Sequence, residues 1–271
     1  MISQFAFHPP EKASYCFNPD CMQYVFERDL RSIIVYFQSV PQSGVTLNTL
    51  GPESKPVILF SHGNADDIGA YFNYCRDLAT STKCHVLTYD YYNYGLSSTA
   101  STSEDMLLEA SEAVFKFLKS KNVQIIVYGK SIGTVPSIFL AADSNVIGLV
   151  LVSPLASGVR CLNISHFMTK KMLNSFDSFF GDSISRIKKV KCPVIFFHGL
   201  QDTVIHCENT SILYSELCKS PFQAHNESEL PHFFGTYKNP GTHQNLETTF
   251  RSEFFSCLTR FVNRIISQKN N

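Results

Sequence analysis

The clearest chemical signal in the sequence is the segment GKSIG at 129–133, which has the spacing G-x-S-x-G. The apolar run QIIVYG (124–129) leads into it, and TVPSIFLAA, typical of a helix, follows it. In a strand–turn–helix context, this motif exposes the serine hydroxyl and directs the next backbone amide at a developing oxyanion. We therefore predict Ser131 as a nucleophile and the amide of Ile132 as an oxyanion-hole donor.

The letters GKS also occur in phosphate-binding loops. That motif requires a glycine five residues before Gly129, and the chain has Gln124 there. The spacing therefore excludes a phosphate-binding loop.

A second turn supports the same chemistry. FSHGNADDIG (60–69) follows the apolar run PVILF and precedes a helical pattern. In hydrolases with such a serine, the turn between this strand and the next helix supplies the second oxyanion-hole amide. We assign that amide to Asn64, with Ala65 as the alternative. Asp66 or Asp67 in the same turn is also suited to cap the following helix.

A serine nucleophile needs an acid and a base, and hydrolases of this kind carry them in the order Ser, Asp or Glu, His. Asp202 follows the apolar run PVIFFHG (193–199) and is the predicted acid, although a helix N-cap would also suit it. Four histidines follow: His206, His225, His232 and His243. His206 is too near Asp202 in sequence, His225 lies in a polar loop, and His232 begins the last strand. His243, between that strand and the final helix, is the predicted base.

The elements that must position these residues alternate along the chain. Apolar runs predict strands, and amphipathic stretches between them predict helices. The strands are 56–60, 85–90, 124–129, 146–154 and 193–199, with a hairpin at 22–27 and 33–38, and the helices are 68–81, 103–120, 133–142, 207–219 and 246–267. This alternation is typical of an α/β fold with a parallel sheet, here in a single domain over 1–271.

Composition excludes several classes of protein. The 271 residues carry 23 basic and 23 acidic side chains, so the net charge is zero and no nucleic-acid partner is expected. The nine cysteines form no CxxC pair, which indicates reduced thiols and no zinc site. No signal peptide or transmembrane run is recognisable, so we expect a cytoplasmic protein.

One segment is longer than a simple crossover between two strands requires. Residues 155–190 carry several Phe and Met side chains, among them Phe167, Met168, Met172 and Phe176. Two interpretations remain open: a helical cap over a substrate pocket, or an ordinary helical insertion that buries its own apolar face.

The segments FSHGNADDIGAYF, YDYYNYGLSS, YGKSIGTVPSIFLAA, SPLASGVR and HGLQDTVI together resemble the α/β-hydrolase domain-containing protein 17 family. The resemblance implies the α/β-hydrolase fold, with a mostly parallel central sheet flanked by helices. It also implies a serine hydrolase that removes palmitoyl groups from S-acylated proteins, without a metal or organic cofactor. By this resemblance Ser131 is the nucleophile, Asp202 the acid and His243 the base. The family's membrane anchoring is not carried over to this sequence, so peripheral association with membranes stays an open alternative.

The chain departs from the family pattern at two points near these residues. Lys130 stands where the family has glutamine, and it could assist the serine alkoxide, pair with an acidic substrate or face solvent. Around His243 the family's Gly-His-Asn-Asp becomes Thr-His-Gln-Asn. Two alternatives to a thioesterase therefore stay open: a general carboxylesterase or lipase, and a catalytically inactive hydrolase fold that binds a partner. The oligomeric state is not predicted.

Overall fold

The computed structural model describes residues 7–39, 46–161, 181–222 and 228–269. The chain forms two compact units, Met1–Tyr128 and Gly129–Asn271.

The first unit contains a four-stranded part of the sheet. Its strands are β1 (Met22–Glu27), β2 (Leu30–Phe37), β3 (Val57–Ser61) and β4 (His85–Tyr89), in the order β1-β2-β4-β3. The β1–β2 hairpin and the β2–β4 pair are antiparallel, whereas β3 and β4 are parallel. Every residue of β3 and β4 is buried. This explains why both read as continuous apolar runs.

Two helices complete the described part of this unit, α1 (Phe72–Thr82) and α2 (Glu104–Ser120). The hydroxyl of Ser103 accepts a hydrogen bond from the amide of Met106 and so caps α2, as expected for serine at this position. A short 3-10 helix, Ile68–Tyr71, leads into α1, and the side chain of Asp67 caps it. The predicted capping by Asp66 or Asp67 is therefore confirmed for Asp67.

Strand β5 (Ile125–Lys130) ends the first unit and continues into the second. The second unit contains β6 (Gly148–Val152), β7 (Val194–Gly199) and β8 (His232–Phe234). These three strands are parallel, in the order β6-β7-β8, with Leu149 opposite Val194 and Gly199 opposite Phe234. Their carboxyl ends consequently lie at one edge, where β7 leads to Asp202 and β8 leads towards His243.

The described α-helices of the second unit alternate with these strands along the chain. They are α3 (Thr134–Asp143), α4 (Ser183–Arg186), α5 (Glu208–Cys218), α6 (Leu246–Thr249) and α7 (Arg251–Lys269). On α7, Phe254 and Phe261 are fully buried, and the ring of Phe254 lies 4.5 Å from that of Phe197 on β7. The final amphipathic helix thus buries its aromatic stripe against a strand.

The elements predicted from sequence are confirmed, with ends that shift by one or two residues in most cases. The second hairpin strand begins at Leu30 rather than at position 33. The predicted last helix is two helices, because α6 ends at Thr249 and α7 begins at Arg251. Most of the predicted cap lies outside the described residues, since only 155–161 and 181–190 of that segment are described.

Candidate active site

Ser131 lies in a sharp turn between β5 and α3. It begins a one-turn 3-10 helix (Ser131–Gly133), and its φ of 55° is left-handed, which is uncommon for a residue other than glycine. A Cβ atom at Gly129 would lie 2.5 Å from the carbonyl oxygen of Gly133. The turn can therefore close only with glycine at position 129, which accounts for that part of the motif.

Thr134 holds this turn in place, and sequence reasoning did not single it out. Its hydroxyl donates to the carbonyl oxygen of Ser131 (2.6 Å) and accepts from the amide of Leu155 (3.1 Å). The threonine therefore links the serine turn to the chain that follows β6. The signal for it is local, because Ser and Thr hydroxyls commonly bond backbone groups within a turn.

Asp202 lies in the turn that follows β7 and is buried. Its Oδ1 accepts hydrogen bonds from the amides of Val204 (2.9 Å) and Ile205 (2.8 Å). Helix α5 starts only at Glu208, so these bonds close a turn and Asp202 does not cap the helix. The alternative interpretation of Asp202 as a helix N-cap is therefore wrong. The other carboxylate oxygen faces two imidazoles.

The structure brings Ser131, His243 and Asp202 together. His243 Nε2 lies 3.0 Å from Ser131 Oγ, and His243 Nδ1 lies 2.7 Å from Asp202 Oδ2. All three side chains are buried, with 8% or less of each residue exposed. The three groups predicted as nucleophile, base and acid thus form one hydrogen-bonded chain.

Backbone contacts fix the loop that carries His243. The amide of Leu200 donates to the carbonyl of Phe234 (2.8 Å), and the amide of Gln201 donates to the carbonyl of Gly241 (2.8 Å). A Cβ atom at Gly241 would collide with the carbonyl oxygen of Phe234. The loops after β7 and β8 can therefore pack closely enough for Asp202 to reach His243.

The other candidate bases lie elsewhere. His232 Nε2 lies 2.9 Å from a carboxylate oxygen of Glu229, and His206 is exposed. His225 lies outside the described residues. Among the histidines that the structure describes, His243 alone bonds Ser131.

A second imidazole, that of His198 on β7, lies next to Asp202, and sequence reasoning missed it. It is fully buried, with Nε2 2.8 Å from the carbonyl oxygen of Ile205 and 3.3 Å from Asp202 Oδ2. Its Nδ1 lies 2.7 Å from the hydroxyl of Thr210. Because a carbonyl oxygen only accepts, Nε2 carries a proton and points its positive edge at the carboxylate.

These contacts determine the charge of Asp202. Burial raises the pKa of its carboxyl group, but hydrogen bonds from His198 and His243 and the amide of Ile205 outweigh burial and hold that pKa well below its usual range. The carboxylate is therefore ionised at neutral pH and only accepts hydrogen bonds. The ionised carboxylate therefore requires a proton on His243 Nδ1, and in the neutral imidazole Nε2 is then the acceptor that faces the hydroxyl of Ser131.

Lys130 does not face solvent, which was one of the three interpretations of this residue. Its side chain is 9% exposed, and Nζ lies 2.7 Å from Oε1 of Glu247 on α6. The lysine is thus buried in an ion pair beside Ser131. Its partner lies 117 positions away in sequence, which explains why no local pattern indicated it.

The two predicted oxyanion-hole residues lie in different units. Ile132 is buried in the first turn of the 3-10 helix at the serine, where backbone amides lack partners within the helix. Asn64 follows β3 in the first unit, and its Oδ1 accepts from the amide of His8 (3.0 Å) and the hydroxyl of Tyr94 (2.7 Å). Ala65 has a φ of 61°, so the predicted turn is tight.

Within the described residues, neither a metal-binding cluster nor a helix able to span a membrane is present. No group of three or more His, Cys, Asp or Glu side chains in the described ranges is arranged to hold a metal ion. No helix within those ranges combines the length and the apolar character needed to cross a bilayer.

The chain is similar in sequence to known hydrolases. A family model described as serine aminopeptidase, S33 (Hydrolase_4) matches residues 52–182. The human α/β-hydrolase domain-containing protein 17B is 35% identical over 69% of this chain and 65% of its own length. The mouse protein 17C is 33% identical over 75% of this chain and 66% of its own. The chain thus spans slightly less than two thirds of these relatives.

Solved structures share the fold of this chain. An esterase of Pyrococcus furiosus superposes with a TM-score of 0.70 at 17% identity, over 95% of this chain and 98% of the other. A soluble variant of monoglyceride lipase from Saccharomyces cerevisiae superposes with a TM-score of 0.64 at 14% identity, over 93% and 98% of the two chains. At these identities the likeness establishes the fold, an α/β architecture with a mostly parallel sheet and flanking helices. The chain is therefore a homologue of the α/β-hydrolase domain-containing protein 17 proteins and has the α/β-hydrolase fold.

Proposed function

We propose that this protein is a serine hydrolase that cleaves acyl thioesters or esters, with S-palmitoylated proteins as its main substrates. The observation that carries the hydrolase proposal is the hydrogen-bonded chain from Ser131 Oγ through His243 to Asp202. Relatives named as α/β hydrolases support the class of reaction. The palmitoyl group comes from the family resemblance alone.

The geometry suits an acyl transfer in two stages, acylation of Ser131 and then hydrolysis of the acyl-enzyme. Ser131 Oγ attacks the acyl carbonyl while its proton passes to His243 Nε2, and Asp202 stabilises the resulting imidazolium. The carbon–sulfur or carbon–oxygen bond then breaks as His243 returns the proton to the leaving thiol or alcohol. A water molecule repeats the sequence on the acyl-enzyme and releases the fatty acid.

Oxyanion stabilisation completes the proposed mechanism. We assign the amide of Ile132 to this role, because it follows the nucleophile at the start of a helical turn. The contribution of Asn64 remains a prediction from sequence. Removing one such donor typically costs about 2.7–4 kcal/mol of transition-state stabilisation.

Oxygen-ester hydrolysis is the second candidate function. The structural neighbours named as an esterase and as a monoglyceride lipase favour it. The same three residues serve both reactions. The leaving group, a thiol or an alcohol, belongs to the substrate and is not part of the hydrogen-bonded chain of Ser131, His243 and Asp202. The two candidates therefore differ only in the acyl donor that reacts faster.

Initial rates on acyl thioesters from acetyl to palmitoyl, beside matched oxygen esters, test this proposal. Each methylene buried in a substrate site contributes about 0.8 kcal/mol, so kcat/KM should rise about fourfold per added methylene until the site is full. Faster thioester hydrolysis that rises towards palmitoyl supports depalmitoylation. Faster oxygen-ester hydrolysis supports the esterase, and no turnover of any donor supports an inactive binding protein.

The resemblance also carries a proposal about location. We propose that the protein acts in the cytoplasm on acylated proteins at membrane surfaces. Co-sedimentation with neutral phosphatidylcholine vesicles, with and without a bound palmitoylated peptide, tests it. Sedimentation that depends on the peptide supports the proposal, whereas no sedimentation with peptide-bearing vesicles contradicts it.

A further inference from the structure

A buried ion pair joins the residue before Ser131 to the helix after His243. Lys130 ends β5, Glu247 lies in α6, and their charged atoms are 2.7 Å apart. We propose that Lys130 and Glu247 are positioning residues that keep His243 within hydrogen-bond distance of Ser131. This inference rests on the proposed hydrolase function.

The ion pair is a second link between two segments that already meet at the reacting groups. Glu247 is four residues after His243, and Lys130 is directly before Ser131. The first link is the hydrogen bond from His243 Nε2 to Ser131 Oγ, and the second is the bond from Lys130 to Glu247. Because two separated links resist rotation better than one, the imidazole is held in orientation as well as in distance.

The burial of the pair explains why it acts as a unit. The side chains are 9% and 6% exposed, and Oε2 of Glu247 has no hydrogen-bond partner in the part of the chain that the structure describes. Glu247 therefore depends on Lys130 to compensate its charge. A buried ion pair often adds little stability over an apolar replacement, whereas removing one partner leaves an uncompensated charge. In this proposal the pair contributes by fixing the placement of His243 relative to Ser131.

A direct electrostatic role for Lys130 makes a different prediction. With Glu247 at 2.7 Å, the positive charge of Lys130 is neutralised locally, so the pair exerts a small net field on Ser131. If the ion pair acts by positioning His243, exchanging the charges at 130 and 247 restores both the link and the activity. If the positive charge itself assists the serine alkoxide, a glutamate at position 130 is worse than a neutral residue.

The test uses Lys130→Met, Glu247→Gln and the exchanged double variant Lys130→Glu with Glu247→Lys. Lys188→Met and Glu216→Gln are matched controls, because their pair has a similar separation (2.8 Å) but is more exposed. Three quantities are measured for each protein: kcat and KM with p-nitrophenyl butyrate, the rate constant for fluorophosphonate labelling of Ser131, and the melting temperature. The split between kcat and KM separates positioning of the base from substrate binding.

Each single variant should lower kcat and the labelling rate constant by about tenfold or more, with KM changed by less than about threefold. The exchanged variant should recover most of this loss, and the controls should stay near wild type. Folded single variants with wild-type kcat would overturn the inference. A folded exchanged variant that is no faster than the single variants would also overturn the inference. If a single variant does not fold, the exchanged variant provides the test.

Failure of the inference is distinguishable from failure of the proposed function. A wild-type protein that is neither labelled nor active overturns the hydrolase proposal, and the inference falls with it. An active wild type whose Lys130 and Glu247 variants are equally active overturns the positioning role alone.

Discussion

At the scale of single residues, Ser131 combines an unfavourable backbone conformation with a reactive position. Its φ of 55° costs a residue with a side chain on the order of 1–3 kcal/mol. The hydrogen bond from Thr134 to the carbonyl oxygen of Ser131 helps to maintain it. The strained turn places Oγ at 3.0 Å from His243 Nε2, so the conformation contributes directly to the hydrogen-bonded chain.

Replacing His243 by alanine should remove most of the hydrolytic activity. We expect kcat to fall by roughly a thousandfold or more, because Ser131 loses the group that accepts its proton. His232→Ala is the matched control, since His232 bonds Glu229 instead and should retain near-wild-type kcat. Initial rates on one acyl ester measure both. Equal losses in the two variants would contradict the assignment of the base.

Thr134→Val tests the support of the serine turn. The substitution keeps the shape but removes the donor to the Ser131 carbonyl and the acceptor of the Leu155 amide. A buried donor without a partner costs about 1–3 kcal/mol, so the free energy of unfolding should fall by that amount. Chemical denaturation measures it. Thr248→Val is the control, because Thr248 is exposed, and its change should stay within about 0.5 kcal/mol.

The sequence alone sufficed for some of these residues and not for others. Ser131, Asp202 and His243 could be predicted because each follows a recognisable strand and their order matches a known chemistry. His198 could not, because its partners are known only when the strands and loops are packed. For Thr134 only the local bond to the Ser131 carbonyl could be expected, since its second partner, Leu155, is distant in sequence. Lys130 had three possible interpretations, and its distant partner Glu247 excludes the one in which the lysine faces solvent.

At the scale of elements, the position of His243 depends on how closely two loops approach. A Cβ atom at Gly199 would lie 2.5 Å from the carbonyl oxygen of Gly241, and one at Gly241 would collide with the carbonyl of Phe234. Main-chain atoms of the two loops are therefore in direct contact. Glycine at both positions is a geometric requirement for joining Asp202 to His243.

Gly241→Ala should destabilise the protein and lower its activity together. The collision is with backbone atoms, which cannot rotate away, and overpacking of this kind costs about 1–3 kcal/mol. Gly51→Ala is the control, because a Cβ atom there meets nothing within 4 Å. Melting temperature and kcat measure the two effects. A Gly241→Ala protein as stable and active as Gly51→Ala would show that the loops can move apart.

The elements themselves were predictable because the strands are short, buried and apolar. The predicted run 193–199 became β7 (Val194–Gly199) and the predicted run 85–90 became β4 (His85–Tyr89). Element ends were less certain, since caps and turns depend on a few local bonds. The split between α6 and α7 is an example, because the periodic apolar pattern runs through the break.

At the scale of the whole molecule, Asp202 links folding to pH. Its folded pKa lies below that of the unfolded chain, so the unfolded state binds the proton more readily. The stability from this carboxylate is therefore fully present above the unfolded pKa, about 3.9, and is lost as the pH falls through the folded value. Acid thus weakens the fold through this group.

A comparison of wild type with Asp202→Asn isolates this contribution. Above about pH 5 wild type should be more stable, and its advantage should shrink as the pH falls towards about 2, because protonation removes the difference in charge. Denaturant unfolding at a series of pH values measures it. An advantage independent of pH would mean that Asp202 stabilises the fold through packing and not through its charge.

The most direct test of the account is covalent labelling by a fluorophosphonate, with the modified residue identified by mass spectrometry. Such reagents phosphonylate a serine rapidly when a neighbouring base accepts its proton. The account predicts one modified residue, Ser131, and a labelling rate that falls by roughly a hundredfold or more in His243→Ala. Labelling of another serine, or equal labelling of Ser131 in wild type and His243→Ala, would contradict the proposed active site.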